Sequence, residues 1–553
     1  MERPTVRFVL VMLLAAVVAP AAAGIATPPI HRGVNLTGWL QEPDVHAIVP
    51  GLYTEQDFRD IRSLGCDVVR LPINLDRIAR AAPGGKIPQE LFLLLDNAVT
   101  WATRSDLSLI LDNHTQEDDA HIDRNLGAVL PVVWRQMAEH FRASPATVIY
   151  EIFNEPHDIP AAAWDAIQRR TLEAIRAVDT VHTVVVTGTD WGGIDGLVEV
   201  RPYADTNLLY SFHFYDPFPF THQGAEWADQ VELTRVPFPP DPARPPIVLA
   251  GTAHARLQRD ADWYMKGDPV AAMKAQMDKV AAWAKRYRVP LYCGELGVYD
   301  KVSPPDDRTR WYGLVRSMLE DRGIPFTMWD YHDGFGIFVP GSPEGFEHDL
   351  NVPLLRALGL AVPAQSPWPA GPVAAGFVLY NGSPGPGVHP ASYANGGRLD
   401  YQGPAAPKGA GPSITLSGSE QYAAVSFDLL PVRDLSLLAR RGAAVHLWVQ
   451  ASGPAASFDV RFLMPWAPGT GSLPWRISRT VTREEAPWDG AWHELLLPFS
   501  SFEETGAWDG SWHDPQGLFD WSRVATLEVV AEHTDLHAKT LGVAGIEIRS
   551  PLD

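Results

Sequence analysis

Short apolar runs alternate with amphipathic helical stretches from Ile30 to about Gly359. Alternation of this kind is typical of parallel strands that are each followed by a helix. Eight strands are predicted, at 31–36, 66–72, 107–113, 147–154, 182–188, 208–214, 290–296 and 325–330. The helical patterns between them span 54–65, 88–103, 127–142, 161–178, 270–287 and 307–322. Because no glycine-rich phosphate loop follows the first strand, these elements predict a (β/α)8 barrel over 24–360 and not a doubly wound open sheet.

The chain changes character after residue 360. Residues 361–372 contain four prolines and no helical or strand pattern, so they predict a stiff linker. Residues 373–553 form short alternating runs separated by Gly, Pro and Asp turns, which is the pattern of an all-β sandwich or jelly roll. The sequence Trp-Asp-Gly-X-Trp-His occurs twice there, at 488–493 and 508–513, and predicts two similar turns that each lead into a strand.

Residues 1–23 have the layout of a secretory signal peptide. Two arginines precede an unbroken apolar run from Phe8 to Ala19, and the small residues that follow place a cleavage site after Ala23. The apolar run is too short to span a bilayer comfortably. We therefore expect a secreted protein, extracellular or periplasmic, which is monomeric and has no membrane partner after cleavage.

Composition argues against two classes of protein. With a net charge of −21, the chain is not expected to bind nucleic acid or an anionic membrane, whereas a neutral or cationic substrate is compatible. The two cysteines, Cys66 and Cys293, are too few for a disulfide scaffold. Both lie on predicted strands and point into the same interior, where two buried thiols are expected and a disulfide is the alternative.

Polar and aromatic residues occur where the predicted barrel strands end. In a barrel of parallel strands, the C-terminal rim carries the catalytic side chains. Glu155 follows the fourth strand and Glu295 lies near the end of the seventh, so two carboxylates should face each other across the barrel mouth. Each rim residue alone has a structural explanation, as an ion pair, a core histidine or a packed ring, but together they indicate an active site. The other members are Arg70, His114, Asn154, His213, Tyr215 and Trp329.

These residues belong to short motifs that occur in a fixed order. The motifs are Arg-Leu-Pro at 70–72, Asp-Asn-His at 112–114, Phe-Asn-Glu-Pro at 153–156, His-Phe-Tyr at 213–215, Gly-Glu-Leu-Gly at 294–297 and Trp-Asp at 329–330. From Arg32 to about Phe338 the ordered set resembles the catalytic pattern of glycoside hydrolase family 5, within the clan of barrel glycosidases that use acids on strands four and seven. Leu296 departs from that pattern, since Phe is common at this position. The resemblance implies that Glu155 is the acid/base and Glu295 the nucleophile of a retaining β-glycosidase.

The resemblance also implies roles for the surrounding residues. Trp329 would stack beneath a sugar ring. Neither a metal nor a cofactor is expected, because the histidines of the rim have no further ligands at metal-binding spacing. The residues that would support the two carboxylates are Arg70, His114, Asn154, His213 and Tyr215.

Further aromatic residues extend the predicted sugar-binding surface. Trp191 follows the fifth strand and therefore belongs on the active rim. The connection 216–268 is far longer than an ordinary loop and rich in aromatic residues, so we expect it to fold over the barrel mouth with His222 and Trp227 as sugar contacts. Trp39 is another candidate contact. For Trp39 and Trp227, core packing or loop anchoring explains the ring equally well.

The expected activity is that of an endo-β-1,4-glucanase, a cellulase, acting on a polysaccharide or oligosaccharide. An exo-acting β-glucanase, a β-mannanase and a transglycosylase use the same residues and stay open, and exo action follows if 216–268 walls one end of the cleft. The alternative of another class is a non-catalytic polysaccharide-binding protein, against which the intact Glu155 and Glu295 argue.

The C-terminal region has a resemblance of its own. Residues 373–553 resemble the jelly-roll carbohydrate-binding modules that are attached to cellulases. The likeness lies in the pattern from Trp492-His493-Glu494-Leu495 through Pro498-Phe499 to Phe502. That pattern is mostly framework, so a purely structural sandwich is equally compatible with it.

Overall fold

The computed structural model describes residues 30–81, 83–115, 126–467 and 472–551. They form a barrel followed by a β-sandwich. The predicted signal peptide lies outside the described residues, so its assignment stays a prediction. Among the helices that are described, none combines the length and the apolar character needed to cross a membrane.

The N-terminal domain is a closed barrel of eight parallel strands, as the sequence predicts. Around the barrel the strand order is β1-β10-β9-β6-β5-β4-β3-β2, and each barrel strand overlaps one of the eight predicted runs. The short strands β7 and β8 pair only with each other, outside the barrel. The bounds are β1 Arg32–Asn35, β2 Val68–Ile73, β3 Ser108–Asn113, β4 Val148–Glu151, β5 Thr183–Thr187, β6 Leu208–Phe214, β7 Leu233–Thr234, β8 Ile247–Val248, β9 Leu291–Leu296 and β10 Phe326–Met328.

Helices surround the barrel, and all six predicted helices are confirmed as α1, α3, α4, α5, α9 and α10. The others are short or lie inside long connections, where periodicity in the sequence is weak. The bounds are α1 Glu55–Ser63, α2 Leu75–Ala81, α3 Gln89–Arg104, α4 Leu126–Phe141, α5 Ala161–Arg176, α6 Ile194–Glu199, α7 Phe218–Thr221, α8 His254–Lys266, α9 Pro269–Tyr287, α10 Pro305–Glu320 and α11 Val352–Ala357.

Local sequence signals fix where several helices begin. Thr54 and Asp57 form a reciprocal capping box at the start of α1. Asp268 caps α9, whose first residue is Pro269. Such caps satisfy N–H groups that a helix leaves unpaired in its first turn, so these starts are encoded locally.

The C-terminal domain is a two-sheet antiparallel sandwich, which confirms the all-β prediction. One sheet has the order β13-β14-β23-β16-β19 with β11 paired to β23, and the other has the order β12-β15-β22-β17-β18-β20-β21. One helix, α12 Ser436–Arg440, lies between β15 and β16. The strands are β11 Phe377–Tyr380, β12 Val388–Pro390, β13 Arg398–Ala405, β14 Pro412–Ser417, β15 Ala424–Arg433, β16 Ala444–Ser452, β17 Phe458–Leu463, β18 Arg476–Val481, β19 Asp489–Pro498, β20 Glu503–Trp508, β21 Trp512–His513, β22 Val524–Val530 and β23 Thr540–Arg549.

The sandwich packs against the loop that follows β1. His46 Nδ1 lies 3.2 Å from Asp400 Oδ1, and Gln402 Nε2 donates to the Val45 carbonyl at 2.6 Å. Val49 packs against the apolar core of the sandwich. Because this loop leaves the C-terminal end of a barrel strand, the sandwich lies beside the active rim of the barrel.

The segment 361–372 has no helix or strand, and it contacts the barrel. The Ala361 N–H donates to the Leu64 carbonyl at 2.8 Å. Trp368 Nε1 lies 3.1 Å from both carboxylate oxygens of Asp349. The linker therefore runs along the barrel surface before it enters the sandwich.

The long connection after β6 is folded. It contains α7, β7, β8 and α8. The Gln223 side chain joins α7 to the segment after β7, since Nε2 donates to the Phe220 carbonyl at 2.9 Å and Oε1 accepts from the Val236 N–H at 2.8 Å. Hydrogen bonds of this kind hold a long segment in a defined conformation. The sequence pattern alone did not predict that conformation.

Cys66 and Cys293 are both buried and both free. This confirms the expectation of two thiols over the alternative of a disulfide. Burial raises the pKa of Cys66 to about 12, so its thiol stays protonated and unreactive at neutral pH.

Candidate active site

Two carboxylates and one imidazole meet at the C-terminal rim of the barrel. Glu155 follows the end of β4, His213 lies on β6 and Glu295 on β9. One oxygen of each carboxylate and one ring nitrogen of His213 all lie within 4.8 Å of one another. The barrel thus places Glu155 and Glu295 opposite each other, as the sequence predicts.

Arg70 lies beneath this group and is completely buried. Its guanidinium donates from Nε and Nη2 to both oxygens of Glu151, at 2.8 and 3.0 Å, and from Nη1 to Glu295 Oε1 at 2.8 Å. Asp112 Oδ2 lies 2.9 Å from Nη2. Although burial opposes the charge, the three carboxylates raise the pKa of Arg70 well above its ordinary value. A permanent positive charge is therefore fixed under Glu295.

Glu295 is held in its ionised form. Burial alone would raise its pKa, but His213 and Arg70, together with His114 and a hydrogen bond from Tyr215, lower the pKa of Glu295 to about 2. The Tyr215 hydroxyl donates to Glu295 Oε2 at 2.8 Å. A carboxylate that accepts from a guanidinium and a phenol is oriented as well as charged.

His213 connects the two carboxylates. Its Nδ1 lies 2.6 Å from Glu155 Oε1 and 3.5 Å from Glu295 Oε2. Burial lowers the pKa of His213, but Glu295 and Glu155 outweigh that effect, so its pKa is raised. Gly294 makes room for the ring, because a Cβ there would lie 3.0 Å from His213 Nε2 and 2.9 Å from Ser211 Oγ.

A second chain of hydrogen bonds orients Asn154. His114 Nδ1 lies 2.7 Å from Asp112 Oδ2, and the Asn154 amide nitrogen lies 3.4 Å from His114 Nε2. Asn154 Oδ1 accepts from Arg70 Nη2 at 2.8 Å. The amide oxygen is thereby directed towards Arg70, which leaves the amide nitrogen as the donor on the side of the cleft.

Aromatic rings lie beside the carboxylates at two places. Trp329 lines the cleft and stacks on His114, with ring centroids 5.1 Å apart and an interplanar angle of 17°. Trp191 is 51% exposed and stacks on His157 at 3.5 Å. Asp190 and Trp191 have φ of 65° and 55°, a sparsely populated conformation for residues with a Cβ. Such strain is characteristic of functional sites, and here it presents an indole to the cleft.

The connection 216–268 supplies part of the cleft wall, as predicted. Trp227 is 64% exposed, lines the cleft and packs edge-on against Tyr299 at 4.7 Å. His222 also lines the cleft but is mostly buried, and it packs edge-on against Tyr215 at 5.0 Å. Burial lowers the pKa of His222 to about 4, so a neutral ring supports the tyrosine that bonds to Glu295.

Trp39 requires a correction. Its ring is 1% exposed, stacks on Trp101 at 6.0 Å and donates from Nε1 to the Val49 carbonyl at 3.0 Å. The Trp39 ring therefore packs in the core, which was the alternative interpretation, and it cannot contact a sugar. A loop position after a barrel strand did not distinguish a ring that points into the cleft from one that anchors the loop.

Two buried members of the site were not predicted, Glu151 and Asn35. Glu151 makes the bidentate contact to Arg70, and Asn35 Oδ1 accepts from Arg70 Nη1 at 2.9 Å. The available signal was a carboxylate inside the apolar run Val-Ile-Tyr-Glu-Ile-Phe, because a buried charge requires a buried partner. Arg70, on the predicted second strand, was the cation to pair with it.

The trio of Glu155, His213 and Glu295 has the geometry of three metal ligands. Glu295, however, already accepts from the charged Arg70 and from Tyr215. Both oxygens of Glu295 are thus already engaged by charged or hydroxyl donors of the protein itself.

The cleft above these residues has a volume of about 930 Å³. Its lining carries no lysine or arginine among the described residues. Clefts lined by one sign of charge attract or repel charged ligands from solution. The acidic side chains of the lining are Glu155, Asp190, Asp195, Asp216, Glu295, Asp330 and Asp333.

Comparisons with known proteins bear on this site. The model of the cellulase family, glycosyl hydrolase family 5, matches residues 30–334. Endoglucanase 3 of Fibrobacter succinogenes is 29% identical over 349 residues, which cover 58% of this chain and 53% of that protein. The chain thus spans about half the length of that relative.

Two further similarities cover nearly all of the other protein. Endoglucanase C of Acetivibrio thermocellus is 23% identical over 325 residues, 54% of this chain and 90% of that protein. A solved structure of an endoglucanase is 26% identical with a TM-score of 0.50, and the match covers 60% of this chain and 96% of that one.

Replacing Arg70 tests the buried charge network. Arg70→Met leaves three carboxylates without their cation, and we expect a loss of about 3–5 kcal/mol in the free energy of unfolding of the barrel at pH 7. Arg59→Met, which removes a half-exposed i,i+4 pair with Glu55, is the matched control and should cost less than about 1 kcal/mol. Urea unfolding followed by tryptophan fluorescence measures both.

The same comparison has a pH dependence. The low pKa of Glu295 contributes stability that is present above pH 4.5, its ordinary pKa, and is lost as the pH falls towards 2. Because Arg70 provides part of that depression, the difference between wild type and Arg70→Met should be smaller at pH 3.5 than at pH 7. A difference that grows on acidification would contradict the assignment of the charge on Glu295.

Proposed function

We propose a reaction for this chain on the premise that it belongs to glycosyl hydrolase family 5, whose model matches more than half of its length, residues 30–334. The reaction is hydrolysis of internal linkages of a β-1,4-glucan, with retention of configuration at the anomeric carbon. The observation that carries the proposal is the pair of carboxylates whose oxygens lie within 4.8 Å of each other. Retaining glycosidases separate their carboxyl groups by about 5–5.5 Å, and inverting ones by about 6.5–9.5 Å, since the latter must fit a water between them.

In the first step, Glu295 is the nucleophile. Its ionised oxygen attacks the anomeric carbon while Glu155 donates a proton to the departing glycosidic oxygen, so that the glycosidic bond breaks and a glycosyl ester forms. Arg70 and Tyr215 hold the attacking carboxylate in line, which provides the orientation that such a displacement requires. Trp329, stacked on His114, offers a flat face for the sugar ring whose bond is broken.

In the second step, Glu155 acts as a base. It removes a proton from water, the water oxygen attacks the anomeric carbon, and Glu295 leaves as a carboxylate. Formation of the ester neutralises Glu295 and so removes a negative charge next to Glu155. Loss of that charge favours the ionised form of Glu155, which has given its proton to the glycosidic oxygen in the first step. His213 lies within 3.5 Å of both carboxylates and therefore couples the loss of charge on Glu295 to the loss of the proton from Glu155.

Cleft charge and relatives support a neutral glucan as substrate. The cleft lining has seven acidic side chains and no lysine or arginine among its described residues, which disfavours uronate-bearing glycans. The relatives that match most of this barrel are endoglucanases by name. We therefore infer endo action on a neutral β-1,4-glucan.

The N-terminal pattern of residues 1–23 supports export of the enzyme. The exported protein is then expected to begin at Gly24 in N-terminal sequencing. A mature protein that still begins at Met1 and stays inside the cell would overturn this part of the proposal.

Two variants separate the roles of the carboxylates. Glu295→Gln should abolish turnover of every substrate. Glu155→Gln should lower kcat/KM by about 10²–10⁴ on an unactivated cello-oligosaccharide but far less on a dinitrophenyl glycoside, whose leaving group needs no proton. Glu173→Gln, on an exposed face of α5, is the control and should leave both rates unchanged. Equal losses for Glu155→Gln on both substrates would contradict its role as the acid.

The charge of the cleft predicts a dependence on salt. We expect kcat/KM for anionic carboxymethyl cellulose to rise several-fold between low and physiological ionic strength, as screening reduces repulsion, while neutral hydroxyethyl cellulose changes little. Asp190→Asn combined with Asp333→Asn should reduce the rise, and Asp262→Asn on α8 should not. The same salt response for both polymers would contradict electrostatic selection by the cleft.

Viscosity in these assays distinguishes endo from exo action. A rapid fall in viscosity before small sugars appear supports cuts at internal linkages. Release of mono- or disaccharide without loss of viscosity would instead support the exo-acting alternative, with 216–268 as a wall across the cleft.

A further inference from the structure

The two Trp-Asp-Gly-X-Trp-His sequences form the same turn but use their tryptophans differently. In the first, Asp489 Oδ1 accepts from the Ala491 N–H and lies 2.9 Å from His493 Nε2. In the second, Asp509 Oδ1 accepts from the Ser511 N–H and lies 3.0 Å from His513 Nε2. This confirms the prediction of two similar turns.

The indoles of the first copy have a structural role. Trp488 is 8% exposed and donates to the Ala456 carbonyl inside the sandwich, and Trp492 packs against the apolar cluster that contains Trp448. The indoles of the second copy, Trp508 and Trp512, are 57% and 47% exposed. The two residues lie directly opposite each other in the pairing of β20 with β21. Packing in the sandwich accounts for the two tryptophans of the first copy, but it does not account for the exposed rings of the second.

These exposed rings stand at the end of a row of buried polar side chains. On β22, Leu527 and Val529 belong to the sandwich core, so Glu528 between them points outward. Strand register aligns Glu528 with Arg461 and Ser426, and Arg461 with Ser478. All four are less than 9% exposed although they lie on the outer face of the seven-stranded sheet. Polar groups buried on an outward face indicate a recessed surface.

The charged side chains of this face are paired with one another. Arg461 donates to Glu528 Oε2 at 2.6 Å and to Glu532 Oε2 at 2.7 Å, and Arg476 lies 3.6 Å from Glu532 Oε1. Two arginines and two glutamates give no net charge, and Asp459, on the same face two positions before Arg461, lies 2.9 Å from His533 Nε2. The face therefore has no excess of positive charge that would select an anion. Arg476 Nε is buried and has no hydrogen-bond partner among the described residues. The Arg476 guanidinium also lies 4.6 Å from the centroid of the Trp512 ring.

We propose that this outer face, defined by Ser426, Glu528, Arg461, Ser478, Arg476, Trp508 and Trp512, binds a neutral β-glucan chain. The exposed indoles stack on the apolar faces of sugar rings, and the paired charges and Arg476 Nε exchange hydrogen bonds with hydroxyls. A surface that combines flat rings with paired donors and acceptors suits a polyhydroxylated ligand better than an apolar protein surface. The identity of the glycan rests on the proposed function of the barrel.

The dimensions of the face fit an extended chain. Neighbouring strands are about 4.8 Å apart, so the four steps from β22 to β21 span roughly 19 Å. That length accommodates several sugar units in a row. Tyr393, 42% exposed and bridged to Ala424 on β15, continues the face beyond β22.

Affinity electrophoresis of the full chain in gels that contain hydroxyethyl cellulose tests the proposal. All proteins carry Glu295→Gln, so that the polymer is not cleaved. The face variant adds Trp508→Ala and Trp512→Ala, the cleft variant adds Trp191→Ala and Trp329→Ala, and the matched control adds Trp263→Ala, which removes a 75% exposed indole of α8.

We expect the cleft variant to remain retarded by the polymer and the face variant to bind at least roughly tenfold more weakly than its parent, as loss of two stacking rings implies. The control should behave as the parent. Trp512→Tyr keeps a ring and should retain binding to within about threefold, which shows that loss in the alanine variant is not unfolding. Retardation of the face variant equal to that of its parent would overturn the proposal.

A separate assay distinguishes this proposal from the proposed reaction. With Glu295 intact, the face variant should hydrolyse a short soluble cello-oligosaccharide at the wild-type rate. If wild type shows no hydrolysis but retardation still depends on Trp508 and Trp512, the reaction fails and the binding face stands. If hydrolysis of the short substrate falls with the face variant, the face is not an independent site and the proposal is wrong.

Discussion

The guanidinium of Arg70 is the point on which the active rim depends. It is fully buried, and its donors reach side chains on β1, β4 and β9 and the turn after β4, with a β3 carboxylate at 2.9 Å. A buried charge is costly unless each donor finds a partner. Glu151 and Asp112 meet that requirement, and they leave one contact for Glu295. Glu295 is thus fixed by a network of which Glu151, Asp112 and Asn35 lie outside the cleft lining.

This network explains why the two carboxylates can serve different chemistry. Glu295 accepts from Arg70 and Tyr215 and keeps its charge to about pH 2, whereas Glu155 lies in the cleft and is contacted by His213. The proposed retaining hydrolysis requires this division between a group that attacks and a group that transfers protons. Both residues are glutamates, so the difference between them arises from the contacts that each position provides.

Much of the fold and the centre of the site follow from the sequence, because both depend on strand order. Apolar runs mark the barrel strands, and the end of each run marks the rim, so Glu155, Glu295, Arg70 and Trp329 could be grouped without coordinates. What the sequence did not decide is where a side chain points once it leaves a strand. Trp39 packs in the core, while Trp191 turns into the cleft on a strained turn. Glu151 lies inside the β4 run and not beyond its end, so the rule that selects residues at strand ends does not select it.

In the proposed reaction, Glu295 forms a covalent bond to the sugar. A dinitrophenyl 2-deoxy-2-fluoro-β-cellobioside, whose fluorine slows breakdown of the glycosyl ester, would trap this bond for mass spectrometry of the intact protein and its peptides. We expect one added fluorocellobiosyl group, carried by the peptide that contains Glu295. An adduct on Glu155, or full turnover of the probe without any adduct, would contradict the claim.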